Sequence, residues 1–515
     1  MLRYKGKQFG ERKGVREMYI STRGNFDKVQ AAEAIKLGMV PAGGLFVPEQ
    51  IPTLSKDEIN SMIGLRYQEI AKKIIRLYMS DYSTDEITQC ILNAYNENNF
   101  GQSIAPLQRL KDGTYILELW HGPTAAFKDI ALQIMPHFLS LALKKVKADN
   151  EIVILVATSG DTGKAALEGF KNVPGIKIIV FYPYEGVSKV QELQMSTTDG
   201  DNTYVVAVKG NFDDCQNAIK DIFGDEGYNQ VLNLKGFELS SANSINWGRL
   251  LPQIVYYFSA YADICMSGDI KAGNKVNFVV PTGNFGNILA GYYAKQMGLP
   301  INKLVCASNE NKILTDFFDT GFYNRNRSFF TTNSPSMDIL ISSNLERFLF
   351  EITNHDKDKI NQWFTDLREK GCFEVDRRTK KIMEEILWAG FATEENTLST
   401  IKEVFESNDY VLDTHTAVGV KVYQDYVEKT GDNTCTVVTS TANPYKFNSA
   451  VVEAIKDKEA LYGKDEFQIL DELHLLTGME IHPGLKDLDK RQVLHELVCE
   501  KNQIRVIVDE ILQLK

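Results

Sequence analysis

The chain has 515 residues, a hydrophobic fraction of 43% and a formal charge of −11, the profile of a globular protein of about two to four domains with large cores. That acidity argues against a nucleic-acid or polyanion-coating role and leaves room only for a local basic pocket. Seven scattered cysteines without a CxxC pair, histidines without HExxH and no apolar run of the ~20 residues a membrane span needs argue against a disulfide framework, a metal site and membrane insertion, and favour a reducing, cytoplasmic setting.

Residues 1–17 carry six Lys/Arg against two Glu, lack an apolar signal core, and read as a flexible basic leader. Residues 18–100 read as an N-terminal helical domain. A strand and turn over 18–25 precede a helix over 30–37 stopped by Gly38, a glycine-rich turn over 42–48, and helices around 65–79 and 85–96, with Ser83-Thr84 as cap. Ser21-Thr22-Arg23 could reach an anion, although a structural turn is the default.

The stretch His121-Gly-Pro-Thr-Ala-Ala-Phe-Lys-Asp129 predicts a turn feeding a helix, since Gly-Pro is a breaker pair and proline suits a first helical position. At helical spacing Asp129, Gln133, His137, Ser140 and Lys144 form one stripe, the expected wet face, while Lys128 aligns with Ala131, Leu132, Met135 and Leu139. An ammonium aimed at an apolar side is costly unless it is neutral or covalently joined, which makes Lys128 a candidate Schiff-base lysine. The plainer alternative is a lysine that snorkels to the surface along its own stem.

Beyond Lys128 the pattern becomes repeated βα units. The continuous apolar run at 152–157 suits a strand buried on both faces, and further strands are predicted at 177–182, 204–208, 276–280, 304–308 and 434–439, with helices over 164–170, 188–195, from about 213, over 247–264 and up to 297. Repeated units of this kind predict an α/β fold with a doubly wound, mainly parallel sheet. The core is expected in two lobes, 101–310 and 411–460. Between them 311–410 reads as a mostly helical insertion, and 461–515 as a helical tail.

Ligands of open α/β sheets bind beyond the carboxyl ends of the strands. Ser159-Gly-Asp-Thr-Gly163 and Gly283-Asn-Phe-Gly-Asn287 each follow a strand and open a helix, so their backbone N–H groups and hydroxyls are ready for anions. Thr439-Ser-Thr441 adds hydroxyls, and Asn243, Ser244 and Arg249 could form a second phosphate clamp. For each loop the plainer reading is a tight turn or cap. Neither GxGxxG nor GxxxxGK[ST] is present, which lowers nicotinamide and ATP readings.

As a set, His121–Asp129, Thr158-Ser-Gly-Asp-Thr-Gly163, Ser244-Ile-Asn-Trp-Gly-Arg249, Gly283–Asn287 and Asp413-Thr-His-Thr-Ala-Val-Gly419 resemble the threonine synthase family. Tyr19-Ile-Ser-Thr-Arg-Gly24 and Gly43-Gly-Leu-Phe-Val-Pro48 match its N-terminal signature, and the likeness spans roughly 18–460. Two positions depart from the family pattern, Ala42 in place of Asp and Asn443 where many members carry His; neither removes a group the chemistry needs.

The resemblance implies a fold-type-II pyridoxal 5'-phosphate enzyme that converts O-phosphohomoserine and water to threonine and phosphate. Lys128 would hold the cofactor as a Schiff base and move protons. Gly283, Asn284, Phe285, Gly286 and Asn287 would bind the cofactor phosphate, mostly through backbone N–H groups, and Thr441 would face the pyridine nitrogen. Ser159, Asp161 and Thr162 would meet the amino-acid end of the substrate, and Asn243, Ser244 and Arg249 its phosphate. The implied partner is this small molecule alone, in a monomer or homodimer. Competing readings are a phospholyase giving 2-oxobutyrate, a serine/threonine dehydratase, and a catalytically silent cofactor-binding regulator.

Overall fold

The computed structural model describes residues 17–514, so all but the last residue of the expected leader lies outside the described residues. Two sheets organise the chain. The larger has six strands in the order Leu387–Phe391, Ile301–Ser308, Val276–Pro281, Thr436–Ser440, Tyr115–Glu118 and Leu107–Arg109. All neighbours are parallel except the last pair. The smaller sheet has five strands, Leu497–Glu500, Thr203–Lys209, Ile176–Pro183, Glu151–Ala157 and Phe237–Ser240, all parallel. Their apolar runs are buried on both faces, as parallel strands covered by crossover helices must be.

Register decides where loops can meet. In the large sheet Val438 stands level with both Ile116 and Val279, so three adjacent strands end at one height. Their exits are the turn to Lys128, the Thr441 turn and the Gly283–Asn287 turn. In the small sheet Ile154 is level with Ser240 and Ile178, which sets the Ser159–Gly163 turn beside the segment running to Arg249.

The helix Trp247–Ser267 is the central pillar, buried along nearly its whole length. Asn246 caps it by accepting the Gly248 N–H at 2.8 Å, while its amide donates to the carbonyls of Ile35 and Ser241 at 2.9 Å each. The N-terminal segment is thereby fixed to the pillar, and Trp247 completes the join by packing against Tyr19, Tyr78 and Tyr293. The predicted cap at Ser83 is a full capping box with Glu86. Arg23 and Thr22 are both spent on Glu346, the arginine at 2.8 Å and the hydroxyl at 2.6 Å, so the Thr22-Arg23 turn is structural.

Three expectations change. The stripe from Asp129 to Lys144 is not one wet face: the helix breaks after Leu132, resumes at Met135, and Asp129 and Gln133 are buried. The segment 311–410, expected to be mostly helical, contributes the pair Phe322–Asn324 and Cys372–Glu374 and the outer strand Leu387–Phe391 of the large sheet. The tail likewise supplies Leu497–Glu500 to the small sheet. Both added strands are short and stand at sheet edges, where one side has no neighbour and apolar patterning is weak. Among the described residues no helix is long and apolar enough to cross a membrane.

Candidate active site

Lys128 begins a helix at a turn that is stitched from both sides. The Asp129 carboxylate folds back to accept the Thr124 N–H and hydroxyl, each at 2.8 Å. Gly122 permits this, because a Cβ there would lie 2.3 Å from Asp129 Cβ. Burial pushes the Asp129 carboxyl up to about 7. On the other side the Phe127 N–H donates to the Thr441 carbonyl at 2.8 Å, and the Asn443 N–H to the Ala125 carbonyl at 3.0 Å. Thr441 and Lys128 therefore leave neighbouring strands and stay side by side. Asn443 also caps its own turn by accepting the Tyr445 N–H at 3.0 Å, which explains how asparagine serves at this position.

The Lys128 amine is buried, not snorkelling. It lies 3.3 Å from Asp161 Oδ2 and 3.5 Å from Ser336 Oγ, with the Phe127 ring centroid 4.9 Å away. Burial lowers its pKa against the pull of Asp161, with Lys446 and Arg249 adding repulsion in the same direction as burial. Burial alone would raise the Asp161 carboxyl, but the Lys446 and Lys128 ammoniums together hold it well below the usual carboxylate range.

Around this amine stand two helix N-termini. The helix Gly286–Gln296 starts after Phe285 in a left-handed conformation (φ 64°) with no side chain capping its first N–H groups. Phe285 turns its ring into the core against Phe318 and Phe348, and Asn284 is exposed, so this turn offers its backbone to a ligand. The donors Asn344 Nδ2 and Gln253 Nε2 and the Ser244 side chain converge within 4 Å of the Cβ position at Gly286. Ser244 thus lies at the Gly286 cradle itself, bonded to Asn344 at 3.3 Å, with Asn243 half-buried just before it. The second N-terminus opens the helix Asp161–Phe170, preceded by half-buried Ser159; the Thr158 hydroxyl accepts the Gly160 and Gly163 N–H groups at 2.9 Å each, and Thr162 is half-buried within the helix.

Two buried donors in this region have no protein partner: Arg249 Nε and Asn287 Nδ2. Arg249 spends Nη1 on the Ala242 carbonyl at 2.7 Å, and burial pushes its guanidinium down to about 10. Asn287 is locked by two hydroxyls on its oxygen, Tyr256 at 2.6 Å and Tyr257 at 2.8 Å, which leaves its NH2 free. Orphaned buried donors beside an uncapped helix start fit a phosphate-bearing cofactor. Replacing both Tyr256 and Tyr257 with Phe releases the amide, and the affinity for pyridoxal phosphate is expected to fall about tenfold, each bond contributing ~0.5–1.5 kcal/mol. An unchanged Kd in a fluorescence titration would detach Asn287 from the cofactor.

Sequence reasoning missed Ser336, His415, Asn344 and Lys446. Ser336 lies in a turn of the 311–410 segment, its Oγ 3.5 Å from both Lys128 and Asp161. Its N–H donates to His415 Nε2 at 3.1 Å, and the ring's Nδ1 lies 3.1 Å from Asp413 Oδ1. Asn344 donates to the Asn284 carbonyl at 3.0 Å and is gripped by the buried Arg347, whose other bonds go to the carbonyls of Phe46 and Ile245. Ser336 had a local hint in the Ser334-Pro335-Ser336 turn signal, and His415 stood without a role inside the quoted Asp413–Gly419 motif; nothing local marked Asn344 or Lys446.

Known proteins give the same picture. The family descriptions "Threonine synthase N terminus", "Pyridoxal-phosphate dependent enzyme" and "Threonine synthase, C-terminal" match residues 18–95, 101–440 and 416–491. Threonine synthase of Saccharomyces cerevisiae is 38% identical, over 85% of this chain and 89% of its own length. Human threonine synthase-like 1 is 40% identical over 96% of this chain, which spans 69% of that protein. The crystal structure of the yeast threonine synthase superposes with a TM-score of 0.86 at 34% identity, covering 97% of this chain and 99% of that one. That of pyridoxal-phosphate-bound threonine synthase from Brucella melitensis gives 0.85 at 33%, with the same coverage. With three family descriptions matching between residues 18 and 491 and a buried lysine set between two helix starts, the chain belongs to the threonine synthase family of pyridoxal-phosphate-dependent enzymes.

Proposed function

We propose that this protein is a threonine synthase: it converts O-phospho-L-homoserine and water to L-threonine and phosphate. The observation that carries the reading is the buried Lys128 amine, with Asp161 at 3.3 Å and the unspent Arg249 donor in its surroundings. In this reading the Gly283–Asn287 turn holds the cofactor phosphate through its free N–H groups, with Ser244 and Asn344 closing the cradle. Thr441 faces the pyridine nitrogen, where a hydroxyl, unlike a carboxylate, does not hold that nitrogen protonated. Bound pyridoxal phosphate supplies an electron sink for the charge left when Cα loses its proton.

The remaining work falls to the chain's own side chains. Lys128, once its amine is free, takes and returns protons at the substrate Cα and Cβ. The Ser159–Thr162 helix start receives the substrate's amino-acid end. Arg249, with Asn243 beside Ser244, receives the phosphate that leaves Cγ, while water adds at Cβ. The Ser336 turn limits the water that reaches Lys128. We also infer a cytoplasmic setting, on the strength of seven cysteines that are all unpaired.

Arg249→Ala is expected to raise KM for phosphohomoserine about tenfold, the effect of losing a charge-assisted bond of ~1.5–3 kcal/mol, with cofactor content unchanged. Loss of cofactor with substrate affinity intact would move Arg249 to the cofactor cradle. A phospholyase giving 2-oxobutyrate is the second reading, because relatives named only synthase-like are as similar to this chain as the synthases are. Adding phosphohomoserine to the yellow protein decides: threonine and phosphate in equal amounts support the synthase, whereas 2-oxobutyrate, ammonia and phosphate replace it with the lyase. A purified protein that stays colourless with pyridoxal phosphate would reject both.

A further inference from the structure

Lys446 is fully buried, and its ammonium has three donors and three acceptors: Asp161 Oδ1 at 2.8 Å, Gln194 Oε1 at 3.0 Å and the Thr124 carbonyl at 3.1 Å. No donor is left for a ligand, so Lys446 is not an anion receiver. Its charge goes to Asp161, whose two oxygens are divided. Oδ1 takes Lys446 and the Gln191 amide at 3.0 Å, and Oδ2 faces Lys128 at the longer distance of 3.3 Å and Ser336 at 3.5 Å. Two buried ammoniums thus share one carboxylate, and the one with the shorter bond is outside the chemistry.

We propose that Lys446 is a positioning residue that draws the Asp161 carboxylate off Lys128, leaving the Lys128 amine free to give up its proton and bond the cofactor aldehyde. The inference rests on the reading that Lys128 carries the cofactor. In the step concerned the ammonium releases one proton to solvent, the neutral nitrogen adds to the aldehyde carbon, and the aldehyde oxygen leaves as water as the carbon–nitrogen double bond forms. The charged groups facing Lys128 are Asp161 from its helix start, Lys446 from the turn after Thr441, and Arg249 from the central pillar. Ser336 comes from the 311–410 segment with His415 behind it, and Asp129, on the same helix as Lys128, is turned to Thr124. Without Lys446, Asp161 acts on Lys128 alone and holds its proton.

The full-length protein, freed of cofactor, is mixed with pyridoxal phosphate across a pH series, the bond is fixed with borohydride, and the Lys128 peptide is weighed. For Lys446→Met the midpoint of the attachment rate is expected to rise by about one pH unit, so that attachment is about tenfold slower below it. Asp161→Asn is expected to lower the midpoint, the Asp161→Asn/Lys446→Met double variant to return toward the parent, and Lys446→Arg to keep the parent profile. A Lys446→Met midpoint equal to the parent's, or an Asp161→Asn midpoint that does not fall, overturns the proposal while leaving Lys128 as the attachment point. If Lys446→Met does not fold, Lys446→Gln takes its place, and a midpoint equal to the parent's overturns the proposal in the same way. Label on a peptide other than that of Lys128 in the parent overturns both this proposal and the reading beneath it.

Discussion

Replacing Lys128 with alanine is expected to lower threonine formation by about 10³-fold or more, the range for removing an essential acid–base group, and to abolish the visible absorbance of bound cofactor. The expectation follows from the enclosure of the amine. No other lysine takes its place: Lys446 has all three donors committed, and Lys164 is tied to Glu168 and Thr198 at 2.8 and 2.9 Å. The variant should still fold, because Asp161 keeps its stronger partner, the Lys446 ammonium at 2.8 Å. A melting curve close to the parent's with turnover gone isolates the chemistry, whereas appreciable turnover would remove Lys128 from the mechanism.

Gly283→Ala is expected to weaken pyridoxal phosphate binding by about 10²-fold, corresponding to ~3 kcal/mol of overpacking. A Cβ at 283 would lie 2.4 Å from the Ser336 carbonyl oxygen. That oxygen belongs to backbone and cannot rotate aside as a side chain would. Ser336 is itself fixed by its N–H on His415, and the Gly283 carbonyl by the Ser342 hydroxyl at 2.8 Å. The clash must therefore part the Gly283–Asn287 turn from the Ser336 turn, opening the cofactor cradle and the cover over Lys128 together. Cofactor titration with a parallel melting curve checks this; parent-like affinity would show that the two turns move independently.

Much of this arrangement could be read from residues in order. The apolar run at 152–157 became a strand buried on both faces, and the glycine-bearing turns after it and after 276–280 became helix starts. Lys128 was singled out by its place on a helical wheel, and it is buried although the helix breaks five residues on. Other features were opaque because they depend on partners far along the chain. Asp129 reads as a surface carboxylate until Gly122 lets it fold back onto Thr124. Ser336 stands 208 residues from Lys128 and meets it only because the 311–410 segment folds over the sheet. Lys446 in isolation is an ordinary lysine, and only Asp161 gives it meaning. The strands Leu387–Phe391 and Leu497–Glu500 are short, edge-placed and partly exposed, so no alternation marks them.

The strand Leu497–Glu500 also bears on how the protein is made. Its partner strand ends at Lys209, and the ion pair joining Lys209 to Glu500 spans 291 positions. During synthesis the flank of Thr203–Lys209 stays open until that distant stretch leaves the ribosome, a long-range closure that is slow and exposes an unpaired edge meanwhile. Nascent chains halted before position 497 should therefore be held by chaperones, and release should coincide with the docking of this late strand.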